Sequence, residues 1–133
     1  MPDPRPPSPA KQTLLLILLP MLATVFSLRL YFHLVHVRHI YPGGYLLRHL
    51  FVGVLILVPA AFLVAFGARH RVLARVALGV GTALILDEVV FLVATKGSDA
   101  DYVSRLSLRG SIVFNLLAAI FLLVLYALHR DDD

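Results

Sequence analysis

In the stretch ALILDEVVFLVA, residues 83–94, two acids stand side by side among apolar residues: Asp87 and Glu88. Hydrocarbon rejects carboxylates, so acids in such a run need cations or hydrogen-bond donors facing them. A second set of residues can supply these. Arg29, His33 and His36 follow at i, i+4 and i+7, which puts all three on one stripe of a helix. His49 and Asn115 fall near the same level once the chain is laid out as helices, and Tyr102 lies in the polar segment between them.

Three chemistries suit this set. The first is a buried ion pair from Arg29 to Asp87 or Glu88 that fixes helix register, extended by His33, His36, His49 and Asn115. Neighbouring residues on a helix point about 100° apart, so only one acid is expected to face the bundle centre squarely, and the other to reach a neighbouring helix or a partner subunit. Glu88 is favoured slightly as the acid nearer the histidines. The second is a metal site, in which His33, His36, His49 and Glu88 would suit zinc or iron with Asn115 or Tyr102 behind them. No HExxH or ExxH signature accompanies these residues, and Arg29 disfavours a cation. No cofactor is therefore predicted, and Zn or Fe remains an alternative. The third is a proton or small-solute pathway, because histidines and acids in a membrane form proton relays. No catalytic residue can be assigned. Cysteine is absent, no serine stands in a nucleophile motif, and no Gly-rich phosphate loop follows a strand.

Composition says what must hold these residues. Of 133 residues, 59% are hydrophobic and 15% charged, with a mean hydropathy of +0.86. A soluble domain this small could not hide so much apolar surface, so the expected solvent is lipid. The formal charge of +4 does not point to nucleic acid, because the Lys and Arg residues are scattered between apolar runs, as at membrane interfaces. Four such runs appear, at about 13–37, 49–66, 72–94 and 110–128. Each has roughly the length that crosses a hydrocarbon core as a helix. The breaks are RHIYPGGYLLR, GARHR and TKGSDADYVSRLSLR. The predicted fold is all-α, an integral membrane four-helix bundle running up-down-up-down over residues 13–129. A proline-rich disordered tail is expected at 1–12 and an acidic tail at 130–133. The first run has no clean cleavage site after it, so it reads as an uncleaved first span. The dense basic segment RHRVLAR favours both termini in the cytoplasm.

Alternation sets depth. Asp87 stands about 15 residues, or roughly 22 Å, into the third run, and Arg29 about 16 residues into the first. Asn115 enters from the other end to within about two turns of that level. Ala77 with Gly81, and Gly79 with Ala83, offer grooves for a neighbouring helix, and Pro20 and Pro59 are candidate kinks. Arg38, His39, Arg48, Tyr31, Tyr41 and Tyr45 read as interfacial, and His70 and His129 as solvated at the other end. The expected partners are the lipid bilayer and, for so small a bundle, copies of itself or another membrane protein.

The stretches HLVHVRHIYPGGYLLRHLFVG and GVGTALILDEVVFLVATKGSDADYVSRLSLRGS carry a further pattern. They resemble a group of small, functionally uncharacterised prokaryotic four-span membrane proteins. These share histidines at the first helix–loop junction, a His-x-x-x-Gly start to the second helix, an Asp-Glu pair in the third and an Asp-Tyr dipeptide after it. The matching residues are His33, His36, His49, Gly53, Asp87, Glu88, Asp101 and Tyr102, over about two thirds of the chain. Where group members often have paired histidines and an aromatic after the tyrosine, this chain has RH and YV. The resemblance implies the four-span fold and the location of the site, and no activity.

Overall fold

The computed structural model describes residues 8–35, 48–67, 70–96 and 103–129. They form four helices: α1 (Pro9–Leu34), α2 (His49–Ala65), α3 (Arg71–Ala94) and α4 (Arg105–His129). The fold is an all-α bundle. Its helices run in alternating directions, because the end of α1, the start of α2, the last turns of α3 and the first turns of α4 meet at one end.

Several helix ends differ from expectation, each for a local reason. α1 begins at Pro9, inside the tail expected at 1–12. Proline at the first position lacks only an N–H that would be unbonded anyway, and the Ser8 hydroxyl accepts from the Lys11 amide at 3.3 Å. α4 begins at Arg105 rather than near 110, so Ser107 lies within the helix. Pro20 and Pro59 both sit inside their helices. The Thr24 hydroxyl donates to the Pro20 carbonyl at 2.7 Å.

α3 is the central helix and packs on the other three, whereas α2 rests chiefly on α3. Small residues permit this. A Cβ on Gly53 would stand 2.9 Å from the Gly81 carbonyl oxygen, and one on Gly81 would stand 2.9 Å from that of Gly53, so α2 and α3 touch backbone to backbone. On another face of α3, Gly79 receives α1 at Ile17 and Met21. One apolar cluster joins Met21, Ala83 and Ala119, with Leu18, Val25, Ala118 and Leu122 around them, and Ala60, Ala74, Leu84 and Phe91 are also buried.

Burial is inverted relative to a water-soluble domain. Phe26, Leu55 and Leu116 are exposed, while Asp87, Glu88, Ser107, Ser111 and Asn115 are buried. α1, α3 and α4 are long and apolar enough to cross a membrane. α2 has 17 residues and is shorter than the spanning run expected there.

Candidate functional site: a buried charge cluster

The cluster forms where α1, α2, α3 and α4 converge. Because α3 is central, residues 100° apart on it face different neighbours. Asp87 faces α1 and α4. The Arg29 Nε donates to Asp87 Oδ1 at 2.6 Å, and the Ser111 hydroxyl donates to the same oxygen. Arg29 Nη2 also donates to the Asp87 carbonyl at 3.2 Å, and to the Ser107 carbonyl and hydroxyl oxygens at 3.3 and 3.2 Å. One guanidinium thus ties α1 to both α3 and α4. Its planar fork of five donors suits it to this, where a lysine would offer a single point charge.

Glu88 faces α2. Its Oε2 accepts the Leu50 backbone N–H at 2.7 Å, and its Oε1 lies 3.3 Å from Arg48 Nη1. The first amides of a helix have no partner within it, and Arg48, at the position before α2, offers no side-chain cap. Glu88 supplies the missing acceptor from another helix, and its charge also suits the positive end of the α2 dipole. The Arg48 guanidinium stacks over the Phe91 ring, 4.9 Å from its centroid.

His49 sits between the acids, with Nε2 3.3 Å from Asp87 Oδ2 and Nδ1 3.5 Å from Glu88 Oε2. Its ring lies beside that of Phe32 on α1, with centroids 5.9 Å apart. With the imidazole neutral, two guanidiniums balance two carboxylates.

The structure therefore brings together Arg29, His49, Asp87 and Glu88. Both acids are buried: Asp87 is the Arg29 partner, and Glu88 reaches the neighbouring helix α2. Glu88 is not singled out by the histidines, because His49 touches both acids. Asn115 is buried on the same face of α4, one turn beyond Ser111, and its Nδ2 donates to the Ser111 carbonyl at 2.9 Å. His33 is exposed, one turn beyond Arg29. His36 and Tyr102 lie outside the described residues. So do Arg38, His39, Tyr41, Tyr45 and Asp101. Among the described residues, no group of three His, Asp or Glu side chains is arranged to hold a metal ion.

Sequence reasoning missed Arg48, Ser107 and Ser111. Arg48 was placed at the interface, although it adjoins His49. The serines carried a usable signal, because Ser107, Ser111 and Asn115 repeat at i, i+4 and i+8. A Glu88→Gln variant keeps an oxygen for the Leu50 amide and loses the charge. It is expected to cost about 1 kcal/mol, the difference between charge-assisted and neutral hydrogen bonds. Unfolding of the purified protein in detergent micelles measures it, and an unchanged midpoint would contradict the contact.

No protein family, curated protein or solved structure matches this chain.

Proposed function

We propose that this chain is a four-span integral membrane protein whose buried ion pairs hold its helices in one register, and that its role in the bilayer is structural or one of interaction. The carrying observation is that the acids are matched inside the fold: Asp87 by Arg29 and Ser111, Glu88 by Arg48 and the α2 amide. Acids engaged in this way would have to surrender these partners to bind a metal or a substrate. The exposed apolar side chains on all four helices support immersion in lipid. α2 would span about 25 Å at 1.5 Å per residue, and local thinning of a bilayer about 30 Å thick accommodates the difference. The resemblance to small prokaryotic four-span proteins agrees with this count of spans.

Because the chain has no cysteine, single introduced cysteines report topology cleanly. In intact cells and inverted vesicles, Gln12→Cys and His129→Cys should react with an impermeant maleimide from the cytoplasmic face. Val103→Cys should react from the opposite face, and Leu55→Cys from neither. Labelling of Val103→Cys and His129→Cys from one face would mean that α4 does not cross.

One observation favours a second reading. An imidazole with a nitrogen near each of two carboxylates can take a proton from one and pass a proton to the other, so His49 could relay protons between Asp87 and Glu88. The relay reading expects proton flux in proteoliposomes that falls in Glu88→Gln. The structural reading expects no flux from either protein.

A further inference from the structure

Ser107, Ser111 and Asn115 form a polar seam down the inner face of α4, and all three are buried. The two serines are accounted for by Arg29 and Asp87. Asn115 is not. Its side chain is 4% exposed, its Nδ2 donates to the Ser111 carbonyl, and its Oδ1 has no hydrogen-bond partner among the described residues. Turning the amide over does not help. The oxygen would then face the Ser111 carbonyl, acceptor against acceptor, and two donor hydrogens would be left in its place.

Among the described residues no donor reaches that oxygen. One turn further along α4 stands Ala119, which shares the core with Met21 and Ala83, and none of these side chains carries a polar hydrogen. A second copy of the chain cannot supply one either, because Asn115 lies inside the bundle. An acceptor left bare in an apolar interior is strongly disfavoured, and native structures satisfy such groups with ordered water.

We infer that Asn115 Oδ1 is the binding site of one internal water molecule, held between Asn115 and Ser111. The Ser111 hydroxyl spends its hydrogen on Asp87 Oδ1, so its lone pairs remain available as acceptors. Residues one helical turn apart are neighbours on the helix surface, about 5–6 Å apart at Cβ. Two hydrogen bonds of about 2.8 Å donated by one water join oxygens about 4.5 Å apart, a separation that side chains so placed can present. The water donates one hydrogen to Asn115 Oδ1 and the other to Ser111 Oγ. It lengthens the chain that starts at Asp87 by two links, toward the middle of the bundle. The inference does not depend on the function proposed above, since the water satisfies Asn115 whether or not protons move.

Magnetisation transfer from water in the full-length protein, in deuterated detergent micelles, tests this. A long-lived water should give a cross-peak to the Asn115 side-chain amide protons. The exchangeable Ser111 hydroxyl would give the same signal, so a crystal structure fine enough to show water decides between them: density within hydrogen-bond distance of both Asn115 Oδ1 and Ser111 Oγ supports the site, and clear space there refutes it. Absence of the cross-peak from the wild-type protein would overturn the inference as well.

Discussion

Arg29→Leu is expected to destabilise the bundle by about 3–5 kcal/mol, the usual cost of removing one partner from a buried ion pair. The loss is large because Asp87 is fully buried. Without the guanidinium, its carboxylate loses the 2.6 Å ion pair, and the Ser111 hydroxyl and the more distant His49 ring carry no full charge to replace it. The Ser107 carbonyl and hydroxyl would lose their contacts at the same time. Asp87→Leu should cost less. Arg29 is 14% exposed by side chain, keeps both Ser107 oxygens, and has a long stem that can carry its head toward the interface. The double variant, Arg29→Leu with Asp87→Leu, should recover part of the loss, because it leaves no unmatched charge. The coupling read from this cycle should fall at about 0.5–3 kcal/mol. Reversible unfolding in mixed micelles gives all four stabilities, and strict additivity would mean that the two side chains do not interact.

Gly79→Leu is expected to separate α1 from α3. A Cβ at residue 79 would lie 2.2 Å from the Ile17 carbonyl oxygen, 3.1 Å from its carbonyl carbon and 3.2 Å from the Met21 nitrogen. All three are backbone atoms of α1, so no rotamer change relieves the clash, and the helix must move. Even Gly79→Ala should destabilise, although alanine in a helix interior is ordinarily favoured over glycine by about 1 kcal/mol. The leucine variant should reach or pass the upper end of the 1–3 kcal/mol typical of overpacking, about 3 kcal/mol. Gly53→Ala, whose Cβ meets its nearest atoms at 2.9 Å, should be milder. Thermal unfolding in one detergent ranks the three. Wild-type stability in Gly79→Leu would show that α1 does not rest on that glycine.

The pairing of Arg29 with an acid of α3 was legible because helical rise is regular: similar counts from the same side bring two residues to one level. The division of labour between Asp87 and Glu88 was not. It depends on α3 standing at the centre with α2 on a separate face, and residue spacing within one helix does not reveal how many neighbours surround it. The serines were hidden by composition. TKGSDADYVSRLSLR is polar enough to read as one long loop, which puts Ser107 ahead of the fourth apolar run. Once the helix starts at Arg105, Ser107, Ser111 and Asn115 share one face. His33 keeps the spacing from Arg29 of a common stripe, and its side chain is exposed, because spacing along one helix does not fix which face a neighbour covers. Arg48, expected at the interface, closes the break RHIYPGGYLLR, and its pairing with Glu88 depends on tertiary contact.

The start of α2 is completed by a residue 38 positions later in the chain. During synthesis, α2 therefore leaves the ribosome before its acceptor exists. Until residue 88 follows, the Leu50 amide must keep to water or headgroups, and the N-terminal turn of α2 cannot settle at its final depth. The α2–α3 hairpin is thus the smallest unit that completes this helix start, and nascent chains halted before Glu88 should leave Leu50→Cys more reactive toward aqueous thiol reagents than the finished protein does.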